Sequence, residues 1–117
     1  MSKSVLIVDD SLVSRMMIKE IISSKYPDWE FVQATSADDA VKQSEGNHFD
    51  LITLDLNMPG KTGLEAAPEL MKLHPGARIA LMTANIQIAI KEQADKLGLE
   101  FVAKPITEDS VLGFIEA

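Results

Sequence analysis

Asp55 closes the apolar run Leu51-Ile52-Thr53-Leu54 and is followed by Leu56-Asn57-Met58-Pro59-Gly60. A run this short, ended by a Pro-Gly turn signal, predicts a strand buried on both faces. Packing explains a carboxylate at its end poorly; chemistry explains it well. Other polar outliers stand in comparable places. Asp9 and Asp10 follow Val5-Leu6-Ile7-Val8, Thr83 follows Arg78-Ile79-Ala80-Leu81-Met82, and Lys104 follows Glu100-Phe101-Val102-Ala103. Gathered at one edge, the three carboxylates would repel. At neutral pH one would hold a proton or a cation would bind between them. The donors are hard oxygens without His or Cys, which selects Mg2+, Ca2+ or Mn2+ over zinc. So few protein ligands suit Mg2+, which keeps several waters and usually shares its shell with a phosphate. Lys104 adds a fixed positive charge and Thr83 a hydrogen-bond donor. Together these groups can neutralise a phosphoryl group beside Asp55. The Asp55 carboxylate can itself be the nucleophile and form an aspartyl phosphate.

The elements that must position these residues are legible from periodicity. Val5–Val8 predicts a central strand. Ser11 can cap a helix whose apolar face is Val13, Met17, Ile18, Ile21 and Ile22, with one of Met16 and Met17 in the core and the other flanking it. Pro27 and Asp28 end that helix. Trp29–Ala34 alternates and predicts a strand nearer an edge. Ser36-Ala37-Asp38-Asp39 resembles a capping box and starts a short helix that stops at Gly46. Asp38 and Asp39 suit a helix start rather than a second site. His48 has no second His near it and is a polar loop residue. Thr62-Gly63-Leu64-Glu65 is a capping box for a third helix with Leu70, Met71 and Leu73 on its apolar side. Pro68 would remove a backbone hydrogen bond there, so this helix should kink or begin properly only near Pro68. His74-Pro75-Gly76 ends it. A strand over Arg78–Thr83 precedes a helix with Ile86, Ile90, Ala94 and Leu97 on one face and Gly98 as its C-terminal cap. A short strand, Glu100–Ala103, precedes a last helix capped by Thr107, with Val111, Leu112 and Ile115 apolar.

Strand and helix thus alternate throughout, which predicts an α/β fold: a doubly wound five-stranded parallel sheet with helices on both faces. Ligands in such sheets bind outside the carboxyl ends of the strands. Scattered surface residues would not sort themselves to those ends as Asp9, Asp10, Asp55, Thr83 and Lys104 do.

The totals are consistent with one domain over residues 1–117. The chain is 46% apolar and 25% charged, so it is globular rather than disordered, and with 5% aromatics its core must come from aliphatic side chains. It has no Cys, hence no disulfide framework, which suits a reducing compartment and a cytoplasmic location. The apolar run after Met1 is too short for a signal peptide, and no stretch is long enough for a membrane span. A net charge of -7 argues against direct nucleic-acid binding.

Val8-Asp9-Asp10-Ser11, Asp55 with Met58-Pro59-Gly60, Met82-Thr83-Ala84 and Lys104-Pro105 together resemble the receiver domain of two-component response regulators, of the single-domain, chemotaxis-regulator kind. The resemblance implies the flavodoxin-like strand order 2-1-3-4-5, known for the family's chemotaxis member. It implies that a histidine kinase or phosphotransfer protein phosphorylates Asp55. Asp10, Asp55 and the Asn57 backbone carbonyl would ligate Mg2+, with Mn2+ as a substitute, and Asp9 would act mostly through a metal-bound water. Lys104 would pair with the phosphoryl group and join Pro105 through a cis peptide bond. Thr83 would swing to the phosphoryl oxygen, and Phe101 would follow as the aromatic switch, or else be a plain core aromatic. Asn57 and Asn85 would flank the entry and tune hydrolysis. Such a domain is a switch rather than a turnover enzyme: it supports its own phosphotransfer and slow autodephosphorylation. Its protein target would bind the face of the fourth helix, fifth strand and fifth helix.

Three rivals are weaker. A phosphatase of the haloacid dehalogenase type wants a second Asp two residues after the nucleophile, where this chain has Asn57. A flavodoxin-like carrier wants a Ser/Thr/Gly-rich phosphate loop where this chain has Asp9-Asp10. A degenerate receiver, docking without phosphorylation, would lack a site residue, and none is missing.

Overall fold

The computed structural model describes residues 2–117. Its elements run β1 Ser4–Val8, α1 Leu12–Lys25, β2 Glu30–Ala34, α2 Ala37–Gln43, β3 Leu51–Asp55, α3 Gly63–Leu73, β4 Arg78–Thr83, α4 Ile88–Leu97, β5 Glu100–Ala103 and α5 Glu108–Ile115. The strands form one sheet in the order β2-β1-β3-β4-β5, with every pair parallel. The expected fold class and strand order are therefore what the chain adopts. β1, β3 and β4 lie inside the sheet and read as continuous apolar runs because helices cover both their faces. β2 is an edge strand, exposed at Glu30, half-buried from Phe31 to Gln33 and buried only at Ala34.

Two cores flank the sheet. On one face Leu6, Val8, Ile52, Leu54, Ile79 and Leu81 pack against α2, α3 and α4. On the other, Val5, Ile7, Leu51, Ala80 and Met82 pack against α1 and α5. Register brings the carboxyl ends level: Val8 pairs with Leu54 and Ala34, Asp55 with Met82, and Thr83 with Ala103.

Several helix faces differ from the sequence expectation, each for a physical reason. The buried stripe of α1 is Arg15, Ile18 and Ile22, while Val13, Met16 and Met17 are all exposed. A charged residue occupies the first position of the stripe, so counting apolar residues set the face a fraction of a turn away. Neither methionine is core. In α3 the buried residues are Gly63, Ala66, Ala67 and Leu70, Met71 is half-buried, and Leu73 is exposed. Small residues face the sheet there, where close approach leaves no room for larger ones. α3 begins at Gly63 with its capping box formed, so it does not wait for Pro68. Ile86 precedes α4 and is exposed, because α4 begins only at Ile88. At α2 the Ser36 hydroxyl accepts from Asp39 N–H, but the short Asp39 carboxylate reaches Thr35 N–H rather than closing a box on Ser36. Phe114 joins Val111 and Ile115 in the core of α5, while Leu112 is half-buried at its edge.

Candidate functional site

The site is assembled by strand ends and the first residues beyond them. Asp9 leaves β1 with its N–H donating to Ala34 O at 3.0 Å, which carries the β1–β2 pairing one step further. Its Oδ1 accepts from Ser11 N–H at 2.9 Å. Ser11 in turn caps α1, its hydroxyl accepting from Ser14 N–H. One short loop therefore orients an acid and starts a helix. Asp55 is the last residue of β3 and lies directly before the turn into α3. That turn is tight because Gly63 N–H donates to Leu56 O at 2.9 Å. A Cβ on Gly63 would collide with the Asp55 carbonyl oxygen and the Leu81 side chain. Gly63 is thus required by the close approach of α3 to the strand that carries Asp55. Lys104 follows β5, its N–H donating to Thr83 O at 2.9 Å, and the Lys104-Pro105 peptide is cis.

These placements converge. Asp9, Asp10 and Asp55 each offer a carboxylate oxygen within 4.8 Å of the others. Asp9 and Asp55 are buried and Asp10 is exposed. Lys104 Nζ lies 2.9 Å from Asp55 Oδ1 and 3.4 Å from Asp9 Oδ2. Burial pushes the Asp55 carboxyl above the usual carboxylate range. The Lys104 hydrogen bond opposes that shift, and the charges of Asp9 and Asp10 add to it. Burial works against the Lys104 ammonium, but the hydrogen bond and charge of Asp55, joined by Asp9, outweigh it and raise its pKa. Both partners shift upward because the ammonium faces two acids, whereas Asp55 faces one base, two acids and little water. Lys104 therefore leaves the cluster net acidic. An all-oxygen donor set with excess negative charge fits a hard divalent cation such as Mg2+.

The other expected residues do not all reach this cluster. Thr83 is fully buried at the end of β4, and its hydroxyl oxygen accepts from Asn85 N–H at 3.0 Å rather than joining Asp55. Asn85 Oδ1 accepts from Gln87 N–H at 3.1 Å, so that side chain shapes the turn into α4. Asn57 is exposed two residues past Asp55. Phe101 is half-buried, packed against the α2–α4 core with Lys91 Nζ 5.4 Å from its ring centre. His48 is exposed, as a loop residue should be, and stands 3.4 Å from Asp50. Two buried polar residues were missed in the sequence. Arg15 donates from Nη1 to Asp9 O at 2.8 Å. His74 caps the end of α3, its Nε2 2.8 Å from Ser44 Oγ. The only signal for Arg15 was its spacing from Ile18 and Ile22.

A doubly wound sheet thus brings a buried strand-end aspartate, two further acids and a lysine to one edge. The sequence profile of the response regulator receiver domain matches residues 5–116. The chain belongs to that family. It is 37% identical to the chemotaxis protein CheY of Thermotoga maritima over 96% of this chain and 93% of the relative. Among solved structures it is similar to the Thermotoga maritima response regulator TrrA in complex with Mg2+ and BeF, with 30% identity, a TM-score of 0.83, and coverage of 97% of this chain and 96% of that one. It also resembles a CheX–CheY–BeF3–Mg2+ complex from Borrelia burgdorferi, with 26% identity, a TM-score of 0.84, and coverage of 97% and 86%. Family membership makes this a receiver domain of the CheY type, a phosphorylation-activated signalling domain of two-component systems rather than a turnover enzyme.

Proposed function

We propose that residues 1–117 act as one receiver domain that takes a phosphoryl group onto Asp55 from a histidine kinase or phosphotransfer protein. The observation that carries this reading is the buried Asp55 carboxylate, bonded at 2.9 Å to Lys104 and within 4.8 Å of two more acids. A carboxylate oxygen of Asp55 attacks phosphorus; the bond from phosphorus to the donor nitrogen breaks, and the imidazole leaves with that electron pair. Asp10, Asp55 and the Asn57 carbonyl are the residues that would hold Mg2+ directly, and Asp9 would act through water. Bound there, the cation offsets charge on the phosphoryl oxygens. Mn2+, with similar oxygen chemistry, would substitute. Lys104 moves from carboxylate to phosphoryl oxygen. Thr83 exchanges its place in the β4–α4 turn for a hydrogen bond to the same group, and Phe101 follows into the space left. New charge on Asp55 thus favours the state in which Thr83 and Lys104 close on it. Slow hydrolysis by water, tuned by Asn57 and Asn85, resets the switch.

The target is a protein that binds the face of α4, β5 and α5. A shallow groove of about 580 Å3 lies there, lined by Lys91, Glu92, Asp95, Leu99, Glu100 and Phe101. The net charge of -7 disfavours nucleic acid as a partner. Among the described residues no helix is long and apolar enough to cross a membrane. The absence of Cys suits work in the cytoplasm.

Acetyl phosphate with Mg2+ should add one acid-labile phosphate, read by intact mass, and Asp55→Asn should abolish it. Equal labelling of the variant would overturn the assignment. Sustained turnover of small phosphate esters would instead favour a phosphatase.

A further inference from the structure

The buried stripe of α1 carries a cation, Arg15, in line with Ile18 and Ile22. Arg15 is 9% exposed, and its guanidinium donates from Nη1 to the Asp9 carbonyl at 2.8 Å and from Nε to Gln33 Oε1 at 3.0 Å. A guanidinium stays charged at any ordinary pH and is costly to bury. Buried arginines usually fork onto a carboxylate. Here both acceptors are neutral, and among the described residues Arg15 forms no ion pair. What Arg15 holds is a peptide plane.

That plane joins Asp9 to Asp10. Every polar group of Asp9 is engaged: N–H to Ala34 O, carbonyl to Arg15, Oδ1 to Ser11 N–H, and Oδ2 toward Lys104. The exposed Asp10 side chain has no hydrogen-bond partner of its own among the described residues. The direction in which it leaves the chain follows from the peptide before it. Gln33 on β2 fixes the guanidinium, the guanidinium fixes the carbonyl, and the carbonyl fixes where Asp10 points.

We propose that Arg15 is a positioning residue for the divalent-cation site, clamping the Asp9–Asp10 peptide between β2 and α1 so that Asp10 meets Asp9 and Asp55. This rests on the Mg2+ reading above. Charge and position predict opposite signs. If Arg15 acted only through its charge, removing it would relieve repulsion and tighten Mg2+ binding. If it positions the acids, removing it loosens binding, by the tenfold or more that is typical, about, for groups that orient metal ligands.

The test is Mg2+ affinity by titration calorimetry at fixed ionic strength on Arg15→Gln, Arg15→Lys and Gln33→Met, with metal-free thermal melts as the folding control. Arg15→Gln should bind Mg2+ about tenfold more weakly. Arg15→Lys, which keeps the charge but on a single donor nitrogen, should recover part of the loss. Gln33→Met, on a half-exposed strand that need not unfold, should weaken binding less and add nothing to Arg15→Gln. Without metal, the Ser11 amide should exchange faster in Arg15→Gln, a readout independent of Mg2+. Unchanged or tighter binding in folded Arg15→Gln overturns the proposal; if that variant does not fold, unchanged binding in Gln33→Met does so. Failure of the parent chain to bind Mg2+ would overturn the reading beneath it instead.

Discussion

α3 and α4 are consecutive helices on one face of the sheet, each following a strand that ends in a site residue, yet they are held in opposite ways. α3 is fixed at both ends. A full capping box of Thr62 and Glu65 starts it, Gly63 presses it against the Asp55 carbonyl, and His74 ties its end to Ser44, the residue that caps α2. It buries Gly63, Ala66, Ala67 and Leu70. α4 starts at Gln87 without a side-chain cap and buries only Ala94, leaving Ile88 74% exposed. The helix that follows Asp55 is thus held at both ends, and the helix that follows Thr83 is the more loosely held. A charge added at Asp55 therefore meets a fixed backbone on its own side. The β4–α4 connection is where rearrangement costs least.

Gly63→Ala would break the firm side most severely. The new Cβ has backbone on one side and a core Leu on the other, so either α3 or the Asp55 loop must shift. Overpacking of this kind costs about 3 kcal/mol. Urea denaturation should show the loss, with Mg2+ affinity falling in parallel because the Asp55 loop moves. A variant as stable as the parent would mean that α3 is less closely seated than its geometry indicates.

The other end of α3 gives a pH dependence. Burial lowers the pKa of His74 below its ordinary 6.5, and the charge of nearby His48 adds to this. A group depressed on folding contributes stability above its unfolded pKa and loses it as pH falls through the folded one. Stability should therefore fall from pH 6.5 downward through this residue. His74→Gln keeps a hydrogen bond to Ser44 within reach and cannot titrate. Its denaturant midpoint should change less than the parent's between about pH 6.5 and pH 5. Identical slopes would remove His74 from the acid response.

Much of this was legible in the sequence, and the failures share a cause. Asp9, Asp10, Asp55, Thr83 and Lys104 were placed at strand ends by pattern alone, because β1, β3, β4 and β5 each carry a mostly apolar run that a polar residue closes. The strand order came with the family, since alternation of strand and helix fixes a parallel sheet but not its permutation. What period could not show was which side of an amphipathic helix wins. Val13 and Met17 looked buried because they are apolar, and Arg15, a charged residue among them, drew no assignment. The structure exposes Val13 and Met17 and buries Arg15, whose guanidinium donates to the Asp9 backbone carbonyl. His74 escaped for the same reason: it was read as the end of a helix, where a polar residue needs no partner to explain it.

Asp55→Asn should sharpen the comparison without metal. The folded-state pKa of Asp55 is raised, so its ionised form is disfavoured by folding, and the stability present at low pH is lost as pH rises through that pKa. A neutral amide removes the repulsion with Asp9 and Asp10, at the cost of the ion pair with Lys104, which still has Asp9 at 3.4 Å. At neutral pH with a chelator the variant should melt about 4 °C higher, the shift that ~1 kcal/mol gives in a domain of this size. Added Mg2+ should narrow the gap, because it stabilises only the parent strongly. A lower melting point would show that the Lys104–Asp55 bond outweighs repulsion and burial together.

The smallest expected effect concerns the soft side. Gln87 sits at the N-cap of α4 in the extended conformation that a capping Ser adopts, yet it offers no side-chain bond. Gln87→Ser should stabilise α4 by ~1 kcal/mol. The amides of Ile90 and Lys91, which donate to the Gln87 carbonyl, should then exchange about fivefold more slowly, with the amides of α3 unchanged. If α4 must loosen for Thr83 to reach Asp55, the same substitution should reduce the beryllofluoride-induced change in the Phe101 environment, followed by NMR of the ring. Slower exchange with an undiminished response would separate the two properties, leaving α4 soft but not part of the switch.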